Sequence, residues 1–396
     1  MRPSPLLTTR RAAVLLAAAL ATACSSNIPH MTPSDIPDPA PADVESVLFL
    51  IGDAGNALAN KDPVMRKMQA DVEYWAGALR RDSSVVVLYL GDNVYPAGVH
   101  DQTDPEFPRD SAIMQAQVDI VNGPNAVRRG VRGIFVAGNH DWGQAAGLGG
   151  AKRLQNQEDL LNRMRARGTP VWLFPKAGTP GPHVFDVGQH LRILLLDTAW
   201  WLLTGQDTSK AAVYNDMRRA FETAGDRNVI VGAHHPFRSA SSHGGLMPFW
   251  SGLGIRYLLN RSGAVLQDLS SIPYKSLTQA FEAAFAGHPP LLFAGGHDHN
   301  LQVLRGLVPE DPQWMVVSGA GSKTDDLGYI DGMQFRHGAA GYMRVMIHGN
   351  GRADLFVIAA PGDKTPTCEQ SDAAERERCM VTTAEQFDDV YSVRMK

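Results

Sequence analysis

The sequence predicts an α/β protein with a parallel or mixed sheet and a second sheet packed against it. Three observations point there. Short apolar runs alternate with a helical stretch, and several runs stop at Gly followed by Asp, Asn or His. No internal repeat or second independent domain breaks the pattern across the 396 residues, whose 44% hydrophobic content suffices for a sizeable core.

The run over 47–51 reads as the first strand and stops at Gly52-Asp53. Asp62 and Pro63 then have the chemistry of an N-cap and a first helical residue. Met65, Met68, Val72, Trp75 and Leu79 follow at helical spacing, so this helix should lay one apolar face on the sheet. The run over 85–90 stops at Gly91-Asp92 and completes a β-α-β unit. Runs over 133–137, 229–232 and 291–294 repeat the plan, leading into Gly138-Asn139, His234 and His297. Ligands of open α/β sheets bind outside the carboxyl ends of strands, so motifs distant in sequence can converge at one edge. Apolar segments at 192–197, 314–318 and 342–347 supply further strands, hence the expected second sheet.

The first 24 residues read as an export signal: Arg2, Arg10 and Arg11 form a basic head, and an apolar run over 12–23 ends at Cys24. A bilayer span needs about 20 apolar residues, so this run is too short to cross. Leu20-Ala21-Thr22-Ala23-Cys24 resembles a bacterial lipobox, whose cysteine is lipidated after cleavage. Ala21 stands where Leu is preferred, which keeps ordinary cleavage after Ala23 as the alternative. The pair Arg10-Arg11 keeps twin-arginine export open beside the general route. The expected destination is the bacterial cell envelope, periplasmic, with an N-terminal lipid anchor in the outer membrane. Residues 25–45, carrying Pro29, Pro33, Pro37, Pro39 and Pro41, read as a linker, 46–360 as the catalytic domain and 361–396 as a C-terminal tail. With Cys24 assigned to the anchor, Cys368 and Cys379 remain, either as two thiols or as a disulfide. An oxidising destination favours the bridge, which over so small a loop contributes about 2–3 kcal/mol.

The formal charge is −4, from 37 basic and 41 acidic residues, so nucleic acid is not expected as the main partner. The chemistry lies instead in five motifs at the ends of apolar runs: Gly52-Asp53-Ala54-Gly55, Gly91-Asp92-Asn93-Val94-Tyr95, Gly138-Asn139-His140-Asp141, Val231-Gly232-Ala233-His234 and Gly296-His297-Asp298-His299. Asp53 and Asp92 are hard oxygen donors, His234, His297 and His299 offer imidazoles, and Asn139 offers a neutral carbonyl oxygen. Taken singly each motif is an ordinary turn, because Gly, Asp and Asn dominate turns at strand ends. Together they form the donor set of a two-metal phosphoester-hydrolysing centre. Tyr95 discriminates further. A phenol with an ordinary pKa of about 10 ligates as phenolate only beside a strongly polarising cation, which argues for a trivalent metal on its side. Such ions outweigh two carboxylates and a phenolate, so a phosphate dianion is attracted locally.

At these residues the chain resembles the purple acid phosphatases within the calcineurin-like metallophosphoesterases. The motifs appear in family order from Asp53 to His299. Leu90-Gly91-Asp92-Asn93-Val94-Tyr95-Pro96-Ala97-Gly98-Val99, Leu196-Asp197-Thr198, Gly296-His297-Asp298-His299-Asn300-Leu301-Gln302 and Ser318-Gly319-Ala320-Gly321 bring the likeness nearest to the small tartrate-resistant acid phosphatase type. The resemblance implies a four-layer α/β/β/α sandwich of two mixed β-sheets flanked by helices. It implies a binuclear centre in which Asp53, Tyr95 and His299 hold Fe(III). Asn139, His234 and His297 would hold Fe(II), Zn(II) or Mn(II), with Asp92 bridging the two ions. Ions roughly 3.5–4 Å apart would clamp a small phosphorylated substrate and generate a hydroxide nucleophile for in-line attack. His140 matches the family's candidate general acid, with Asp141 placed to orient its ring. His243 resembles a second substrate-side histidine. His235 departs from the Tyr of the small mammalian enzymes; it either contacts phosphate or packs near the site.

The leading expectation is an exported acid phosphatase acting on phosphate monoesters. The alternative is a phosphodiesterase or a nucleotide or polyphosphate hydrolase on the same scaffold, although related diesterases carry a His where this chain has Gly55, and lack the Tyr ligand. A non-catalytic binding protein is the third possibility, and loss of a ligand would be its sign; all seven ligand positions are filled. Asp197 reads as a scaffold residue, His30, His100 and His183 as surface or core residues, and Trp200-Trp201 as packing.

Overall fold

The apolar run that opens the catalytic region becomes β1 (Val44–Ile51), every residue of which is buried. Helix α1 (Pro63–Leu79) follows, with the Asp62 side chain accepting from the Val64 N–H at 3.0 Å, and it buries Met65, Met68, Val72, Trp75 and Leu79 as the spacing predicts. Then come β2 (Val85–Tyr89), α2 (Phe107–Val118), α3 (Pro124–Arg128), β3 (Arg132–Phe135), α4 (Leu148–Ala166), β4 (Val171–Leu173), β5 (His183–Val187) and β6 (Leu191–Leu195). The chain continues through α5 (Thr198–Leu203), α6 (Lys210–Glu222), β7 (Asn228–Gly232), α7 (Ile272–Phe285), β8 (Leu292–Gly295), β9 (Leu301–Arg305) and β10 (Trp314–Ser318). It ends with β11 (Met333–His337), β12 (Gly341–His348), β13 (Ala353–Ala359), α8 (Ala373–Ala384) and β14 (Asp388–Arg394). The computed structural model describes residues 36–58, 62–143, 148–203, 209–241, 269, 271–325, 327–362, 366, 368 and 370–396. The export signal read over 1–24 and the first part of the linker lie outside these residues.

The strands form two mixed sheets of seven, in the orders β14-β13-β12-β1-β2-β3-β4 and β11-β9-β10-β8-β7-β6-β5. In the first, β1, β2, β3 and β4 run parallel, whereas β12, β13 and β14 continue antiparallel from β1. In the second, β6, β7, β8 and β10 run parallel, β5 and β9 run against them, and β11 pairs antiparallel with β9. α1 packs on β1, β2 and β12 and carries the fully buried Trp75. α7 presses Phe281 on Phe293 of β8, with ring centroids 5.3 Å apart. Each large apolar side chain so removed from water contributes roughly 1.5–3 kcal/mol. The result is an α/β sandwich of two sheets flanked by helices. Among the described residues no helix is long and apolar enough to cross a membrane.

The sheets meet at the carboxyl ends of their parallel strands. The Gly52 N–H donates to the Ser318 carbonyl at 2.7 Å, and the Ser318 hydroxyl donates to the Leu50 carbonyl at 2.8 Å, so the ends of β1 and β10 are stitched together. The five motifs therefore do not share one sheet edge, as the strand pattern alone suggests: three follow β1, β2 and β3 and two follow β7 and β8.

The segment read as a tail is part of this architecture. β14 pairs along β13 and completes the first sheet, α8 lies on α1, and Cys368 is disulfide-bonded to Cys379. The end of the linker is also held, because the Ile36 N–H donates to the Ser392 hydroxyl and Asp38 pairs with the Arg344 guanidinium.

Candidate metal centre

Each motif turns sharply as its strand ends. Asp53, Asp92 and His297 have φ of 59°, 54° and 70°, in the left-handed region that non-glycine residues seldom enter. Such conformations cost on the order of 1–3 kcal/mol each and persist only where the surroundings dictate them, characteristically at functional sites. Gly91, at φ 88°, is the most constrained of the neighbours: a Cβ there would fall 2.5 Å from the His234 ring.

The turns aim the donor atoms at two adjacent points. At one, the Tyr95 hydroxyl lies 2.9 Å from Asp53 Oδ1 and 3.1 Å from His299 Nε2, and those two are 3.6 Å apart. At the other, Asn139 Oδ1 lies 2.9 Å from His234 Nε2 and 3.1 Å from His297 Nδ1, with the two nitrogens 3.3 Å apart. Asp92 stands between, with Oδ1 3.3 Å from His234 Nε2, and Asp53, Asp92 and His234 present donor atoms within 4.8 Å of one another. All seven residues read from the sequence as ligands are thus brought together, in two trios joined by Asp92.

Partners outside the trios orient the rings. His234 Nδ1 faces the Leu90 carbonyl at 2.8 Å and carries the proton, so Nε2 turns a lone pair inward. His299 Nδ1 faces Asp325 Oδ2 at 2.6 Å, with the same consequence for its Nε2. The His297 N–H donates to Asp53 Oδ2 at 2.7 Å and the His140 N–H to Asp92 Oδ1 at 2.9 Å, which fixes both carboxylates.

The electrostatics test whether metals fit. Burial, and next the Asp92 carboxylate, push the Asp53 carboxyl well above its ordinary range. Burial, and then the Asp53 and Asp92 charges, push the Tyr95 phenol up as well, while burial pushes the His234 imidazole down. Buried carboxylates and a phenol aimed at one small space oppose one another's ionisation, and cations placed among them reverse that opposition. Inward imidazole lone pairs complete a donor set that suits two cations of the iron, zinc or manganese type.

His140 stands at the rim. Its Nδ1 is 2.6 Å from the Pro96 carbonyl, its Nε2 3.8 Å from Asp92 Oδ2, and its ring meets the Tyr95 ring edge-on at 4.5 Å. Asp141 does not orient this ring, contrary to the sequence expectation. It accepts from the N–H groups of Asn93 at 3.0 Å, Val94 at 3.3 Å and Gly138 at 2.8 Å, and so ties the second motif to the third. The carbonyl of Pro96 orients His140 instead. His243 lies outside the described residues. His235 is buried with Nδ1 2.8 Å from the Thr198 hydroxyl and its ring 4.5 Å from that of His297, and it offers a ring nitrogen within 4.8 Å of ring nitrogens of His234 and His297.

Asp197 is a scaffold residue: it accepts from Trp142 Nε1 at 2.9 Å and the Trp200 N–H at 2.8 Å, and burial pushes its carboxyl up to about 7. Trp200 and Trp201 are buried in the core, His100 pairs with Asp110, and His183 stacks on Phe174. Sequence reasoning missed three residues of the segment after β10. Ser322 donates to the Asp53 carbonyl at 2.6 Å, Asp325 holds His299, and Lys323 stands over Tyr95 with Nζ 3.3 Å from the ring centroid, its ammonium form disfavoured chiefly by burial. The only signal for them was proximity to Ser318-Gly319-Ala320-Gly321.

No protein-family model and no curated protein sequence matches the chain. Solved structures do. The GAP50 anchor of the Plasmodium inner membrane complex superposes with a TM-score of 0.53 at 14% identity, over 88% of this chain and 96% of that one. A purple acid phosphatase from yellow lupin (Lupinus luteus) seeds gives 0.52 at 14% identity, over 84% of this chain and 54% of that one. PhoD gives 0.50 at 10% identity, over 88% and 78%. At such identities the likeness concerns the fold alone, the two-sheet α/β sandwich that the chain shares with these structures.

Proposed function

We propose that the protein is a metal-dependent phosphoesterase that hydrolyses phosphate monoesters, similar in its centre to the small tartrate-resistant purple acid phosphatases. The observation that carries this is the convergence of seven donor side chains into two trios joined by Asp92. Asp53, Tyr95 and His299 would hold a ferric ion, and Asn139, His234 and His297 a divalent ion. When bound, the pair would polarise the phosphoryl oxygens and lower the pKa of a coordinated water.

The remaining chemistry belongs to the chain. His140, anchored through Nδ1 on the Pro96 carbonyl, turns Nε2 toward the centre, from which an imidazolium donates its proton to the departing alkoxide. Asp92, fixed by the His140 N–H, keeps the two trios in register. Gly55 favours the monoesterase over the diesterase reading: a Cβ there would fall 2.6 Å from the Asp92 carbonyl and 2.8 Å from Tyr95 Cδ2, so Tyr95 fills the space where a diesterase histidine would stand. The similar fold of an anchor protein makes a non-catalytic role worth testing, but the complete donor set supports catalysis. The basic head and Cys24 support export with a lipid anchor in the bacterial outer membrane.

The test compares p-nitrophenyl phosphate with bis-p-nitrophenyl phosphate on the purified mature protein and on Asp92→Ala. The monoester should be turned over faster by at least tenfold, and Asp92→Ala should reduce turnover at least a thousandfold. Preference for the diester would replace the monoesterase reading, and undiminished turnover in Asp92→Ala would remove the activity from this site.

A further inference from the structure

At the end of the sandwich opposite the metal centre, where α6 and α7 finish and β7 and β8 begin, a cavity of about 240 Å³ opens to solvent. Phe221 and Leu291 supply its apolar side, and Arg227, Asn228, His288 and Lys396 its polar side. Among the described residues that line it, none has a carboxylate side chain. A strand advances about 3.3 Å per residue, so the path from Asn228, at the start of β7, to His234 puts roughly 20 Å between this cavity and the centre.

The polar groups are held in place by the chain around them. The main chain of Lys396 is tied to Ala353 of β13, its N–H donating to the Ala353 carbonyl at 3.3 Å and its carbonyl accepting from the Ala353 N–H at 3.4 Å. Its Nζ then donates to Asn228 Oδ1 at 3.1 Å, while Asn228 Nδ2 donates to the Gly351 carbonyl at 2.8 Å and fixes the buried amide. An amide oxygen is a neutral partner, so the ammonium's charge stays uncompensated. Arg227 does reach a carboxylate, with Nε 3.3 Å from Asp186 Oδ2. Arg192 already holds that carboxylate through Nε at 2.8 Å and Nη2 at 3.0 Å, so two guanidiniums share one negative charge. The helix ends are answered as well: the Ala224 carbonyl accepts from Arg227 Nη1 at 3.2 Å, and the Phe285 carbonyl from the His288 N–H at 2.8 Å. The cavity therefore carries a local surplus of positive charge in a chain whose formal net charge is −4. A guanidinium and an ammonium side by side suit the oxygens of a phosphate. Phe221 and Leu291 offer nothing to a bare phosphate, but they suit carbon attached to one.

We propose that this cavity is a second, non-catalytic site that takes the phosphodiester headgroup of an anionic lipid and seats this end of the molecule on a lipid surface. The chemistry of the metal centre plays no part in it, and no bond forms or breaks in the cavity. Arg227 and Lys396 contribute charge-assisted contacts to the phosphate oxygens, and Phe221 and Leu291 cover the carbon attached to them. A molecule seated in this way holds the metal centre away from the lipid, open to dissolved substrates.

Calorimetric titration of the purified mature protein with monomeric dihexanoylphosphatidylglycerol, dihexanoylphosphatidylcholine and inorganic phosphate tests this, on the wild type, Lys396→Gln and Arg227→Gln. The wild type should bind the phosphatidylglycerol best. Each substitution should weaken that binding about tenfold, the scale of one lost charge-assisted contact. Metal content and p-nitrophenyl phosphate turnover should match the wild type in both variants. Lys396 is exposed and held by its main chain, so Lys396→Gln gives an answer even where Arg227→Gln, by disturbing the Asp186 pair, unfolds the protein. Unchanged phosphatidylglycerol binding in Lys396→Gln would overturn the proposal. Inorganic phosphate bound as tightly as the lipid, and lost equally in the variants, would overturn it too, since the cavity would then serve free phosphate. Equal affinity for the two lipids would remove the cations from the interaction and sink the idea. Binding is read without turnover, so failure of the phosphoesterase reading leaves this result standing.

Discussion

Two histidines of the centre are held from behind by different groups, and the difference can be measured. The Leu90 carbonyl behind His234 is a neutral dipole, whereas Asp325 behind His299 is a carboxylate that also makes the imidazole a stronger donor. Asp325→Asn keeps the size and a hydrogen-bonding oxygen but removes the charge. It should weaken metal retention at the Tyr95 trio by about 10–100-fold, read as iron remaining after dialysis against a chelator, with the other ion retained. Equal retention in variant and wild type would mean that the contact only packs. The seven candidate donors were legible because each lies in a short motif built on a strand-end glycine. Their supports were not. Asp325 lies 26 residues beyond His299 in an unremarkable polar loop, and the oxygen that orients His140 is a backbone carbonyl, which no residue type announces.

α1 shows which elements can be read locally. An N-cap, a proline and an apolar stripe within 18 residues sufficed, and the structure places them as the pattern requires. The cap carries its own pH dependence. Burial raises the Asp62 carboxyl from the ordinary 3.8 to about 7, so between those values the folded protein holds a proton that the unfolded chain releases. That contribution is present below the unfolded pKa and is lost as pH rises through about 7. Asp62→Asn keeps the capping oxygen and should flatten the fall in stability over that window, seen in urea midpoints measured at several pH values. A slope identical to the wild type would place the titration elsewhere. The strands left unread, β4, β5, β9, β11, β13 and β14, include the edge strand β4, only three residues long, and the edge strand β5, which alternates half-buried and exposed positions. β14 escaped notice because it follows a cysteine-bearing helix at the chain's end, far in sequence from anything that suggests a sheet.

At the scale of the molecule, what the sequence could not show was how the strands divide. β1, β2, β3, β7 and β8 each end in a ligand motif and look alike in isolation, yet three belong to one sheet and two to the other, a partition decided by non-local pairing. The centre lies where the carboxyl ends of the parallel strands of both sheets come together, so neither sheet alone assembles a complete trio. The same geometry explains why the fold alone does not announce activity, since an anchor protein shares it. The donor set carries the functional claim, and metal analysis of the purified protein alongside its visible spectrum tests that claim most directly. The account predicts two metal ions per chain, one of them iron, and a charge-transfer band that Tyr95→Phe abolishes. A colourless, iron-free protein with full phosphatase activity would contradict it.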